Sequence, residues 1–300
     1  MVANPDAIDW DTLLDRLQRG ECTPFLGAGA CAGFLPLGFE IARDWVQQHK
    51  YPFDPSDELP LVAQFFAVER KNPHWPKEEM RRHLQEMLRA GRKPDFNDPY
   101  DLHGLFADLP IPVYLTTNYD DFLVQALIAR GKNPQADVCI WNGLMRGARH
   151  RRRNRPFVEF DERNPLVFHL HGSLSELHSL VVSEDDYVDF LVSLSRDRDR
   201  LLPPRVQEAL TLSSLLFVGY RLADWSFRVV FQGLRGTIES NQQIQSLTVQ
   251  LRPDETREDL AQHKREYWVK YFGRSNIGVY WGRAEDFARE LRERWDARPR

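Results

Sequence analysis

The chain has 300 residues, 42% apolar and 28% charged, near the globular average and far from the composition that keeps a chain unfolded. At about 100–200 residues per domain, that length suits one large α/β unit with an insertion, or two domains. Forty Lys and Arg against 44 Asp and Glu leave a net charge of -4, which excludes a polybasic nucleic-acid coat and confines any such contact to a local patch.

Ile8, Trp10, Leu13, Leu14 and Leu17 recur at helical spacing before Gly20, predicting an amphipathic first helix. Thr23–Leu26 is a short apolar strand that runs into Gly27-Ala28-Gly29-Ala30-Cys31-Ala32-Gly33, and a helix follows over Gly38–His49. Leu59–Ala90 is helical but broken by Pro73 and Pro76, which predicts two helices of an insertion at about 50–108. Pro112–Thr116 is a second buried strand, and Thr117-Asn118-Tyr119-Asp120-Asp121 leads from it into a helix. Val138–Trp141 and Phe157–Phe160 read as strands flanking the basic run Arg149–Arg155, an exposed loop tip. Leu166–Leu170 is a strand that delivers His171-Gly172-Ser173. Helices near Tyr187–Leu194 and Val206–Leu212 precede the strand Leu215–Val218, which ends in Gly219-Tyr220. Strands near Ser246–Leu251 and Ile277–Trp281 alternate with helices in a C-terminal extension of about 240–300.

Apolar runs alternating with helices predict an α/β fold: a Rossmann-like parallel sheet with helices on both faces and a helical insertion, as a single domain over 1–300. No apolar run approaches 18 residues, so no membrane-spanning helix is expected. The N-terminus lacks the basic start and apolar stretch of a signal peptide, and the three cysteines contain no C-x-x-C pair; both fit a reducing cytoplasm.

Four clusters follow apolar strands: Gly27–Gly33, Thr117–Asp120, His171–Ser173 and Gly219–Asp224. Ligands of open parallel sheets bind beyond the carboxyl ends of the strands, so these clusters predict one shared crevice. Gly27, Gly29 and Ala32 satisfy G-x-G-x-x-G/A, which lets backbone amides approach a pyrophosphate, although a tight turn alone also needs small residues. Asn118 offers an amide to orient water or a ribose hydroxyl, and Asp120 a carboxylate to accept from an amide; both also suit capping the next helix. His171 stands where an imidazole can reach a substrate hydroxyl as general base, although a histidine there can also simply cap the strand end. His169 and His171 lack a third ligand at a typical spacing, so no metal is expected. Gly-x-Ser-x-Gly is absent, which disfavours Ser173 as a hydrolase nucleophile.

These motifs resemble the sirtuin-like NAD-binding proteins, specifically those of bacterial anti-phage systems. Gly27-Ala28-Gly29-Ala30 is similar to the sirtuin glycine loop, Thr116-Thr117-Asn118-Tyr119-Asp120 to the Thr-x-Asn-x-Asp block, and Leu170-His171-Gly172 to the Leu-His-Gly segment. Gly219-Tyr220 through Asp224 resembles the later nucleotide-side loop, so the likeness runs in order from about residue 20 to 235. Cys22, Cys31 and Cys139 cannot build the four-cysteine zinc ribbon of sirtuin deacylases, and Leu35-Pro36-Leu37-Gly38 replaces the Gly-x-Pro-Asp-Phe-Arg segment. The resemblance therefore implies NAD+ binding and release of nicotinamide and ADP-ribose, not lysine deacylation. It implies Asn118 and His171 as catalytic residues, and Gly27, Ala28, Gly29, Thr117, Asp120, Gly172, Gly219, Tyr220 and Asp224 as NAD+ contacts. It also implies a homo-oligomer that acts in defence with a HerA-type ATPase. The residues leave two further classes open: a silent NAD+ or ADP-ribose-binding regulatory module, and a nucleic-acid-processing subunit holding phosphates through Arg149, Arg151, Arg152, Arg153 and Arg155.

Overall fold

This computed structural model describes residues 8–54, 56–145, 159–221, 234, 244–251, 258–274 and 276–298. Its centre is a seven-stranded sheet. In chain order the strands are β1 (Cys22–Leu26), β2 (Val113–Thr116), β3 (Gln135–Val138), β4 (Leu166–His169), β5 (Ser214–Val218), β6 (Ser246–Gln250) and β7 (Ile277–Trp281). They lie in the order β3-β4-β2-β1-β5-β6-β7 and every pairing is parallel.

Strand side chains alternate between the two faces, and both faces are buried. Phe25, Leu115, Phe168 and Phe217 enter one core, while Leu26, Tyr114, Val167 and Leu216 enter the other. Helices α1 (Trp10–Gln18), α5 (Leu102–Asp108), α6 (Phe122–Ala129) and α10 (Ala284–Asp296) cover the second face through Leu17, Leu105, Ala126 and Phe287. Helices α7 (Glu184–Leu201), α8 (Pro204–Leu212) and α9 (Glu258–Gly273) cover the first through Phe190, Val206 and Phe272. The region set apart as a C-terminal extension supplies β6, β7, α9 and α10, two strands of the sheet and a helix on each face.

Helices α2 (Gly38–Gln48), α3 (Leu59–Glu69) and α4 (Trp75–Arg89) build a third core around Trp45, Phe66 and Met80. Pro76 lies in the first turn of α4, where its missing N–H has no intrahelical acceptor to lose. This core also takes in Cys31, Phe122, Leu180 and Val182, which seats the helices over the carboxyl ends of the strands. Helices α3 and α4 are held there by Lys77 Nζ, 2.7 Å from Asp186 Oδ1 and 4.9 Å over the Trp141 ring, and by the Gln64 amide, which donates to Asp185 Oδ2 at 2.7 Å.

The structure corrects the strands expected at Val138–Trp141 and Phe157–Phe160. Pairing ends at Val138, and Cys139–Trp141 is a buried loop. Edge strand β3 is half-exposed and polar, so its apolar neighbour carries the hydrophobic signal instead. Glu159 and Phe160 are not in a strand either, and Phe157 lies outside the described residues, as does the Arg149–Arg155 run.

Candidate functional site

The chain leaves β1 for α2, β2 for α6 and β5 for the last part of the sheet on opposite sides of β1, which opens a switch point at their carboxyl ends. A cleft of about 850 Å³ lies there, within the 300–1,000 Å³ usual for cofactor and small-molecule sites. Its walls include Ala28, Gly29, Cys31, Thr117, Asn118, Asp120, His171, Gly219 and Tyr220, so all four sequence clusters contribute to one crevice. Asp224 lies outside the described residues.

The glycine turn is braced from within the protein. Gly27 N donates to Val218 O at 2.9 Å, Gly29 N to Gly219 O at 2.8 Å, and Ala30 N to Gly27 O at 2.9 Å. A Cβ on Gly27 would stand 2.7 Å from the Tyr220 ring, and one on Gly29 2.9 Å from Gly219 Cα. Gly219 itself has φ +83°, a conformation that excludes most side chains. The small residues thus let two loops interlock, and the amides expected to face a pyrophosphate are largely engaged. Ala28, exposed at the head of the turn, lines the crevice.

Tyr220 and Thr117 are bonded to each other and to the sheet. The Tyr220 hydroxyl donates to Leu26 O at 2.9 Å, so Thr117 Oγ1 donates to it at 3.0 Å. Burial pushes the Tyr220 phenol up, and it stays protonated. Gly172 is absent from the crevice wall; with φ +91° it packs on Ser179, where any Cβ would collide with the backbone. Its role is to turn the chain after His171.

Asn118 is held with its amide nitrogen inward. Nδ2 donates to Gly27 O at 3.1 Å and to Cys31 Sγ at 3.3 Å, and a flipped amide would set Oδ1 against the Gly27 carbonyl oxygen. Oδ1 is therefore what this side chain offers a ligand. Its backbone carbonyl accepts from His169 Nδ1 at 3.0 Å, which accounts for His169 as a bonded core residue beneath the site. Burial holds the His169 imidazole below its ordinary range. Asp120 lies just before α6, Oδ1 accepting from Phe122 N at 3.0 Å, and Oδ2 accepts from Cys31 Sγ at 3.3 Å; each oxygen keeps a lone pair for a ligand amide.

His171 is 2% exposed and its Nε2 has no hydrogen-bond partner among the described residues. The ring sits edge-on to Tyr187 and Phe190, each with centroids 5.2 Å away. Burial pushes the imidazole down to about 3, so at neutral pH it is an uncharged ring with an unsatisfied nitrogen beside the crevice. Sequence reasoning did not single out Cys31 or Tyr187. Cys31 lies inside the glycine run and was visible there; Tyr187 comes from a helix with ordinary amphipathic spacing and carries no such signal.

No group of three or more His, Cys, Asp or Glu arranged to hold a metal occurs among the described residues. Nor, among them, is any helix long and apolar enough to cross a membrane.

A family model described as a SIR2-like domain matches residues 112–273, more than half of the chain. The chain belongs to the SIR2-like family. The matched part of this SIR2-like chain carries Asn118, Asp120, His171 and the Gly219 loop. Full-length relatives include the NAD(+) hydrolase ThsA of Enterococcus faecium, 24% identical over 231 residues that make up 71% of this chain and 42% of that protein. The NAD(+) hydrolase ThsA of Acinetobacter baumannii is 24% identical over 253 residues, 81% of this chain and 45% of that protein. That of Bacillus cereus is 25% identical over 249 residues, again 81% and 45%. The SIR2-like chain spans less than half the length of these curated relatives.

Proposed function

We propose that the chain is an NAD+ hydrolase: water replaces nicotinamide at the ribose C1′, giving nicotinamide, ADP-ribose and a proton. The observation that carries this reading is the pairing, in one crevice at the strand ends, of an Asn118 amide fixed by its nitrogen with a neutral, unpartnered His171. A dinucleotide fits the fold's usual ligand position, and the relatives' names specify NAD+ hydrolysis.

In this reading Asn118 Oδ1 accepts from the attacking water or a ribose hydroxyl and so holds it in line with the breaking bond. Asp120 accepts from the nicotinamide amide. His171 Nε2 accepts from a ribose hydroxyl; with its pKa near 3 it orients and polarises that hydroxyl, and is a weak base. The transition state carries developing positive charge on the ribose, as in other glycoside cleavages, and the Asp120 carboxylate favours that charge. The defence role, homo-oligomeric assembly and gating by a HerA-type ATPase belong to the proposal through the resemblance of the motifs. The helices over the crevice are the elements such a gate would move.

The low basicity of His171 favours one second reading, a module that binds NAD+ or ADP-ribose and does not turn it over. Chromatographic quantification of nicotinamide and ADP-ribose separates the two. The proposal expects equal amounts of both products from the unaltered chain, and loss of at least about 100-fold in Asn118→Ala and His171→Ala, within the range for a positioned catalytic group. Measurable NAD+ binding with no product in the presence or absence of an ATPase partner would favour the silent module.

A further inference from the structure

Cys31 stands at the centre of the polar groups beneath the crevice. Its Sγ donates to Asp120 Oδ2 at 3.3 Å, accepts from Asn118 Nδ2 at 3.3 Å, and lies 3.7 Å from His103 Nε2. His103 in turn has Nδ1 3.8 Å from Asp101 Oδ2, and Asp101 caps α5 by accepting from Gly104 N at 2.7 Å. One sulfur atom thus links the glycine turn after β1, the Asn-x-Asp segment after β2 and the start of α5. Cys22, by contrast, is buried among apolar side chains in the core below α1. A side chain needed only for its size has no reason to meet an amide, a carboxylate and an imidazole at once.

We propose that Cys31 is a positioning residue for the crevice: by giving its hydrogen to Asp120 and taking one from Asn118, it fixes both side chains in the orientation that NAD+ cleavage requires. This inference rests on the hydrolase reading. The thiol suits the task because it is a donor and an acceptor in a small volume. Burial, and then the charge of Asp120, push the Cys31 thiol well above its ordinary value, so the hydrogen stays on sulfur and the bond to Asp120 persists at neutral pH. Cys31 does not act as a nucleophile in this state. Without it, Asn118 keeps only the bond to Gly27 and Asp120 Oδ2 loses its donor, so the amide and carboxylate sample orientations that still bind the dinucleotide but do not align the reacting groups.

A loss of alignment falls on kcat, and a loss of binding contact falls on KM. Steady-state cleavage of NAD+ is measured for the full chain and for Cys31→Ser, Cys31→Ala and Cys31→Val, with thermal unfolding of each. Ser retains both hydrogen bonds; Val fills the space without polar atoms and answers for Ala if that variant does not fold. We expect Ala and Val to lower kcat about 10-fold or more with KM within about 3-fold, since small misplacements cost up to about 100-fold in rate. Ser should keep kcat within about 3-fold of the unaltered chain. Unchanged kcat in all three variants of an active chain would overturn the inference alone. So would Ser falling as far as Ala and Val, or a rise in KM at constant kcat. Absence of cleavage by the unaltered chain would overturn it together with the hydrolase reading.

Discussion

Tyr187 and Phe190 surround His171 with apolar rings, and burial alone sets its imidazole at about 3, against an ordinary value of 6.5. Between those two pH values the unfolded chain binds a proton that the folded chain refuses, so stability rises with pH across this window. The contribution is complete above about pH 6.5 and is lost as the pH falls toward 3. His171→Phe is therefore expected to flatten the pH dependence of the unfolding free energy between pH 6.5 and 3, measured by denaturant titration. An unaltered slope would place the ring in contact with water. The motif Leu170-His171-Gly172 made this histidine legible in the sequence, but not its lack of a partner, which depends on a helix that begins 13 positions later. Gly172 was legible only as a member of the same motif; its contact with Ser179 arises from a loop closure that no local pattern announces.

At the scale of elements, the helices over the crevice are attached by a buried ion pair, Lys77 with Asp186, at the start of α7. Lys77 is 4% exposed, so removing one partner leaves the other charged with little water to solvate it. Asp186 Oδ2 also accepts from Val182 N and Ser183 N, both at 3.1 Å, which keeps the cost of Lys77→Met near the lower end of the usual range, about 3 kcal/mol. Denaturant unfolding should show that loss in Lys77→Met and recovery of most of it when Asp186→Asn is added. Equal stability of Lys77→Met and the unaltered chain would mean that the pair does not anchor α4. The periodicity of α3 and α4 and their proline boundaries were readable from residues 59 to 89, and so were the buried strands, because an apolar run between helices has few other solutions. Edge strand β3 was misplaced by three residues for the converse reason: one side of Gln135–Val138 meets solvent, and the apolar signal moved to the buried loop after it.

For the molecule as a whole, the strand order carries the functional argument. Chain connections run to both sides of β1, and parallel strands point all their carboxyl ends the same way, so segments as distant as Gly29 and Gly219 meet with a hydrogen bond of 2.8 Å. The common position of four clusters at strand ends made the crevice predictable without knowledge of register. What the sequence did not reveal was that Gly27, Gly29 and Gly219 are consumed in joining those segments, because the partner of a glycine is fixed only by the fold. Part of the crevice wall falls in the SIR2-like segment 112–273, and the proposal seats the dinucleotide in that crevice. The most direct test is a crystal structure of Asn118→Ala with NAD+. The account predicts the nicotinamide end beside Asp120 and a ribose hydroxyl within hydrogen-bond distance of His171 Nε2, with the phosphates beside Ala28. NAD+ bound with its nicotinamide ribose away from His171, or outside the crevice, would contradict it.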